Sequence, residues 1–246
     1  MRMKTDLNKV KAVAEMLLMT EVHETSYSPM VVHHPFTSSG IVGVRAGGEM
    51  KILDITENQE NLRLWQKQMR EMIAEADDAF QIYMLVNKPY ALTFLKFAEP
   101  HLSKEELSKI LASAWVMSEN PNADANLTKR RLVSLFRSAD PAVLMDEDER
   151  RTLAGLDATV TVYRGVTTNN VKNVKALSWT LDYDIAKWFA ARFGECGTIY
   201  EAQVKKEHIL ALFKGRNESE VIIDPKNLME IRPKENLELG MKMKMV

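Results

Sequence analysis

The sequence predicts an α+β protein, with an N-terminal helical lobe followed by a β-rich lobe. Three observations predict it. Of ten glycines, none lies between Gly48 and Gly155. Glycine punctuates turns and is disfavoured inside helices, so a stretch of that length without it reads as helical. Within it, apolar residues recur at helical spacing. After Gly155 the pattern changes to short runs rich in β-branched and aromatic residues. Helices and strands gathered in separate blocks point to α+β, not to alternating βα units.

The elements follow in order. The opening MRMKTDLNKVKAVAEMLLMTE has charges at Lys9, Lys11 and Glu15, and reads as an amphipathic helix, not a signal peptide. Residues 41–46 (IVGVRA) and 50–55 (MKILDI) flank Gly47-Gly48-Glu49, a hairpin signal. Thr56 and Gln59 have capping-box spacing ahead of Leu62, Trp65, Met69, Met72, Ile73 and Ala76. Ser103 and Glu106 have the same spacing ahead of Leu107, Ile110, Leu111, Ala114 and Trp115. Shorter helices are expected at 79–87, 90–98, 125–138 and 146–154, broken near Pro89, Pro100, Pro121 and Pro141. In the last third, 159–164, 198–204, 208–213 and 220–224 read as strands. A helix over 183–193 has Ala186, Phe189, Ala190 and Phe193 on one face. The domain reading is therefore 1–56, a helix and hairpin; 57–156, a helical lobe; 157–235, a β-rich lobe; and 236–246, a flexible tail.

Composition bounds the function. The chain has 246 residues, 33 Lys+Arg against 34 Asp+Glu, and a net charge of −1. That balance argues against a protein held to nucleic acid by bulk electrostatics. No apolar run approaches the roughly 18 to 20 residues that span a bilayer, so no membrane is expected and the localisation expected is cytoplasmic. Cys196 is the single cysteine, which excludes a disulfide framework and a cysteine zinc site. In the turn Gly194-Glu195-Cys196-Gly197 it reads as a free thiol, with His208 a distant candidate base. His33 and His34 point to opposite faces if extended, and none of the five histidines has zincin spacing. No metal is expected. There is no Gly-Lys-Ser/Thr tripeptide, and Gly40, Gly43, Gly47 and Gly48 fall in a hairpin pattern, not a dinucleotide fingerprint. The 15 methionines suit an adaptable interface or, more commonly, a filled core.

Three stretches of the β-rich lobe draw attention together. In Tyr163-Arg164-Gly165, Arg164 ends an alternating strand on the face of Val160 and Val162. In Leu177-Ser178-Trp179-Thr180, polar residues run into a helix, where a cap is the plainer reading. In Asn217-Glu218-Ser219-Glu220, the two carboxylates are two apart at the start of a strand and project to one side if extended. Each alone is better explained by solvation or capping than by chemistry.

In order and context, Arg-Gly ending a first strand, Ser-x-Thr before a helix and Glu-x-Glu opening a later strand resemble the R-S-E signature of mono-ADP-ribosyltransferases. The arginine-modifying type is meant, nearest to its phage and bacterial toxin-like members. LAGLDATVTVYRGV (153–166), LSWTLDYDIAKWFA (177–190) and NESEVIIDP (217–225) resemble that family's first strand, its Ser strand with following helix, and its Glu-x-Glu loop. The resemblance spans 153–235 and does not extend to 1–100. It departs in two ways: Trp179 stands in the middle of the usual Ser-Thr-Ser, and the interval from Arg164 to Glu220 is short.

The resemblance implies an ADP-ribosyltransferase-like lobe that binds NAD as substrate, cleaves it and transfers ADP-ribose to an arginine of a target protein, as a phage effector would. Arg164 would hold the pyrophosphate as a bidentate fork. Gly165 would let the carboxamide approach, Ser178 would fix the glutamate and the ribose, and Thr180 would add a hydroxyl. Glu220 would bond the ribose 2′-OH and stabilise the developing cation. Glu218 would orient and deprotonate the acceptor guanidinium, whose pKa exceeds 12. Phe193 is the candidate for stacking on nicotinamide, though its spacing equally fits the core. Trp179 either lines the cleft or is buried. The helical lobe would form the other cleft wall or recognise the target. Two other readings stand beside this one: an NAD glycohydrolase, and an inactive binding module that keeps the fold. Some relatives modify nucleobases, against which the balanced charge argues.

Overall fold

Helix formation starts at Asp6, whose carboxylate accepts from the Lys9 backbone N–H and caps α1 (Leu7–Leu18). Its face Val10, Ala14, Leu17 and Leu18 is buried, the stripe expected of an amphipathic helix. The computed structural model describes residues 4–168, 170, 173–194 and 196–237, in two units, Met1–Leu127 and Thr128–Val246.

In the first unit, β1 (His23–Thr25), β2 (Ser28–His34) and β3 (Thr37–Ser39) form an antiparallel sheet in that order. The expected hairpin is β4 (Ile41–Ala46) with β5 (Glu49–Asp54), in register from Ile41 opposite Asp54 to Ala46 opposite Glu49. Gly47 (φ 66°) and Gly48 (φ 85°) supply the two positive angles that a two-residue turn of this twist requires.

Next comes α2 (Gln59–Glu75). Its cap is Asn58, which accepts from the Asn61 N–H, and not Thr56. The Thr56 hydroxyl and N–H both go to Asp54 Oδ1 instead, closing a turn at the end of β5. Met72, placed on the apolar face by spacing, is 41% exposed. α3 (Ala79–Met84), α4 (Ala91–Ala98) and α5 (Lys104–Met117) follow. Ser103 caps α5, but the box stays open. The Glu106 carboxylate takes the Ala79 N–H and the Thr5 hydroxyl, while the Ser103 N–H goes to Thr5. Ile73, Ile82, Phe94, Leu95, Ile110, Leu111 and Trp115, all fully buried, form the apolar interior.

The second unit begins with α6 (Lys129–Ser138), α7 (Pro141–Leu144) and α8 (Glu147–Gly155). Its sheet has the order β11 (Met229–Asn236), β8 (Thr198–Lys205), β6 (Thr159–Val166), β7 (Ser178–Thr180), β10 (Glu220–Ile223), β9 (Ile209–Phe213), all antiparallel. α9 (Tyr183–Ala190) crosses from β7 to β8 and packs on β6.

The two units meet at Leu127/Thr128, so α6 to α8 fall in the same unit as the sheet. Side chains show why α6 to α8 belong with the sheet. Arg137 pairs with Asp224 at 2.7 Å, and Phe136 meets Phe213 with ring centroids 6.3 Å apart. Lys214 pairs with Asp148 at 2.7 Å, and its backbone N–H donates to Glu149 at 2.8 Å. Glu149 also completes a capping box with Asp146. β11 was not foreseen. It contains Pro233, lies on the sheet edge and pairs with β8 through two register shifts, the setting in which a strand tolerates proline. Of the expected tail 236–246, Asn236 ends β11 and Leu237 is 8% exposed, while residues 238–246 lie outside the described residues. The architecture is thus mixed helix and sheet, with an N-terminal helix and a β-rich C-terminal unit. Among the described residues no helix is long and apolar enough to cross a membrane.

Candidate functional site where two central strands part

β6 and β7 are neighbours through one residue pair only, Tyr163 with Thr180. β7 by contrast pairs with β10 at three positions: Thr180 with Glu220, Trp179 with Val221, and Ser178 with Ile222. The sheet therefore opens beyond Tyr163, and the residue at the opening is Arg164. Its neighbours Val160, Val162 and Val166 are buried, as the alternation requires.

Arg164 is half-buried and donates through Nη1 to the Ser178 carbonyl at 2.6 Å. Its Nε is buried with no hydrogen-bond partner. A buried donor without an acceptor costs on the order of 1–3 kcal/mol. Burial pushes the guanidinium down to about 10, and the Glu220 charge opposes that fall. Glu220 is 8% exposed and opens β10. Arg164 and Glu220 are thus an electrostatically coupled pair on strands either side of β7.

The loop before Glu220 is held by β7. Thr180 Oγ1 donates to the Glu218 carbonyl at 2.7 Å and accepts from the Asp182 N–H at 3.0 Å. The Leu181 N–H donates to the Ser219 carbonyl at 3.1 Å. Asn217 (φ 57°) and Ser219 (φ 43°) both lie in the left-handed region, which non-glycine residues seldom occupy. Glu218 between them is in the right-handed region (φ −90°, ψ −11°). The expectation that Glu218 and Glu220 project to one side of an extended strand is therefore corrected: the strand begins at Glu220, and Glu218 sits on the preceding turn.

The other expected residues lie on β6, on β7 and in the turn after α9. Ser178 starts β7 opposite Ile222, and Thr180, not Ser178, stands opposite Glu220. Gly165 is held by packing, because a Cβ there would lie 2.0 Å from the Ala186 carbonyl oxygen and 2.6 Å from the Ala190 nitrogen of α9. Trp179 is 2% exposed and donates from Nε1 to the Ala176 carbonyl, so the buried alternative holds. Phe193 lies in a turn after α9, and its side chain is outside the described residues. Cys196 is a free, half-buried thiol.

Lys129, at the first position of α6, was not singled out from the sequence. Its Nζ donates to the Lys175 carbonyl at 2.8 Å and to Asn173 Oδ1. Burial lowers its pKa, and the positive charge of Arg164 adds to the effect. No local signal marks it, since a lysine at a helix start normally reads as solvated.

A search of protein-family profiles, of curated proteins and of solved structures finds no match to this chain.

Proposed function

We propose that this protein is a mono-ADP-ribosyltransferase that cleaves NAD and transfers ADP-ribose to an arginine side chain of a target protein. The observation that carries the reading is the Arg164–Glu220 pair at the opening between β6 and β7. A cation with an unused buried donor suits the pyrophosphate. A neighbouring buried carboxylate suits a ribose that becomes oxocarbenium-like as its bond to nicotinamide breaks. In this scheme the glycosidic electron pair leaves with nicotinamide, which departs neutral. A guanidinium nitrogen of the acceptor bonds to the anomeric carbon and gives its proton to Glu218. Thr180 supports the step indirectly by holding the Glu218 backbone. Action in a cytoplasm, as a phage effector on host proteins, belongs to the same proposal.

The test uses labelled NAD, the purified full chain and a bacterial lysate, with Glu220→Ala alongside. The reading expects a discrete labelled protein band that disappears in the variant. Glu220-dependent release of nicotinamide without a band would move the reading to a glycohydrolase. Absence of both NAD binding and release would leave a binding module.

A further inference from the structure

The unit that holds Arg164 contains a second cation whose placement the transfer chemistry does not use. Lys129 comes from α6 and Arg164 from β6, yet both are tied to one segment, 173–178. Lys129 Nζ bonds Asn173 Oδ1 and, at 2.8 Å, the Lys175 carbonyl. Arg164 Nη1 bonds the Ser178 carbonyl at 2.6 Å. Burial lowers both groups, and the positive charge of Arg164 lowers the Lys129 ammonium further. Two like charges placed side by side at a half-buried site favour an anion that bonds both. Glu220 is coupled to Arg164, but the charge felt at Lys129 is repulsive. The remaining capacity is explicit: Arg164 Nε is buried without an acceptor, and an ammonium has three donors, of which two are used here.

We propose that Lys129 and Arg164 form a two-cation clamp for a diphosphate group, with Lys129 a binding residue for one phosphate and Arg164 for the other. The inference rests on the NAD reading above in taking that diphosphate to be the one in NAD. A guanidinium offers a fixed fork and an ammonium a mobile point charge, so the pair suits two phosphates joined at an angle better than a single carboxylate. The carbonyl and amide oxygens that hold Lys129 are weaker acceptors than a phosphate oxygen, and exchange for it on binding.

Calorimetry with NAD, ADP-ribose, nicotinamide riboside and inorganic pyrophosphate tests the clamp, on the full chain and on Lys129→Met and Lys129→Arg. The methionine variant is expected to bind NAD, ADP-ribose and pyrophosphate about 10- to 100-fold more weakly, the range for losing one charge-assisted hydrogen bond. Affinity for the riboside, which has no phosphate, should stay, and Lys129→Arg should recover part of the loss. The salt dependence of NAD binding should flatten in Lys129→Met. Undiminished NAD binding by Lys129→Met overturns the clamp, and so does an equal loss of NAD and riboside, which would mean only that segment 173–178 had loosened. Wild-type protein that binds pyrophosphate through Lys129 but neither NAD nor ADP-ribose would keep the clamp and remove the NAD reading. Wild-type protein that binds none of the four would remove the clamp.

Discussion

Arg164 donates to the Ser178 carbonyl at 2.6 Å across a gap that the backbone ladder does not close, because β6 and β7 share the single pair Tyr163–Thr180. A side chain thus bonds a strand carbonyl where a neighbouring strand would ordinarily do so. The same guanidinium faces the Glu220 charge, so the position serves both the sheet and the site.

Arg164→Lys separates those two roles from simple charge. Lysine keeps the cation but loses the planar fork, and its ammonium cannot bond Ser178 while presenting a second fixed donor. We expect a stability loss of about 1.5–3 kcal/mol, the range for a hydrogen bond to a charged group, read from urea unfolding. NAD affinity should fall as well. An unchanged urea midpoint would show that the guanidinium does not tie the two strands together.

The two glutamates should divide the chemistry. Glu220 is buried next to Arg164, whereas Glu218 stands on a turn pinned through its backbone by Thr180. Glu220→Gln keeps shape and removes charge, so NAD should still bind while nicotinamide release falls on the order of 100-fold or more, as for a lost transition-state electrostatic contact. Glu218→Ala should keep release of nicotinamide to water but lose transfer to a soluble guanidine acceptor. Parallel loss of both activities in Glu218→Ala would end that division of roles.

Gly165 makes a prediction about the fold and not about the reaction. A methyl group there meets backbone atoms of α9 at 2.0 and 2.6 Å, and neither can rotate away. Gly197 is similarly placed, 2.2 Å from the Val166 carbonyl oxygen and 2.4 Å from that of Ala190. Gly165→Ala must push α9 off β6, which costs at least the 1–3 kcal/mol typical of overpacking. Thermal unfolding should fall by several degrees. Gly155→Ala, where a Cβ would meet nothing beyond its own helix within 4 Å, is the control expected to leave it nearly unchanged.

How far the sequence reveals this molecule depends on the range of the interaction concerned. The hairpin around Gly47-Gly48 was legible because its turn needs two positive φ angles within two adjacent residues. The strands of the second unit were legible because β-branched runs bounded by turn residues are a local signal. The cap of α2 was misread by two residues, since Asp54 competes for Thr56 and leaves Asn58 to cap. β11 was hidden by Pro233, and the three strands over 23–39 by short, half-polar runs. At the site, residue types and order were readable, but register was not. That Thr180 faces Glu220 depends on pairing between strands distant in sequence, and the placement of Lys129 depends on a contact with 173–175 that no spacing announces.

His34 makes the fold of the first unit sensitive to acid. It is fully buried on β2, with its ring 5.0 Å from that of Trp65 in an edge arrangement. Nδ1 accepts from the Phe36 N–H at 3.1 Å, which assigns the proton to Nε2, 3.3 Å from the Leu18 carbonyl. A second proton would place a charge in the core and break the Phe36 bond. Burial accordingly lowers its pKa from 6.5 to about 4. Between those values the unfolded chain binds more protons than the folded one, so stability rises with pH in that window. The contribution is complete above pH 6.5, drains away as pH falls toward 4, and totals about 3 kcal/mol. His34→Gln keeps one donor and one acceptor but removes the proton linkage. From pH 7 to pH 5, urea unfolding should show the wild type losing about 2 kcal/mol more than this variant. Equal losses in the two proteins would mean that the ring is protonated in the folded state at pH 5, against the neutral ring that its two hydrogen bonds require.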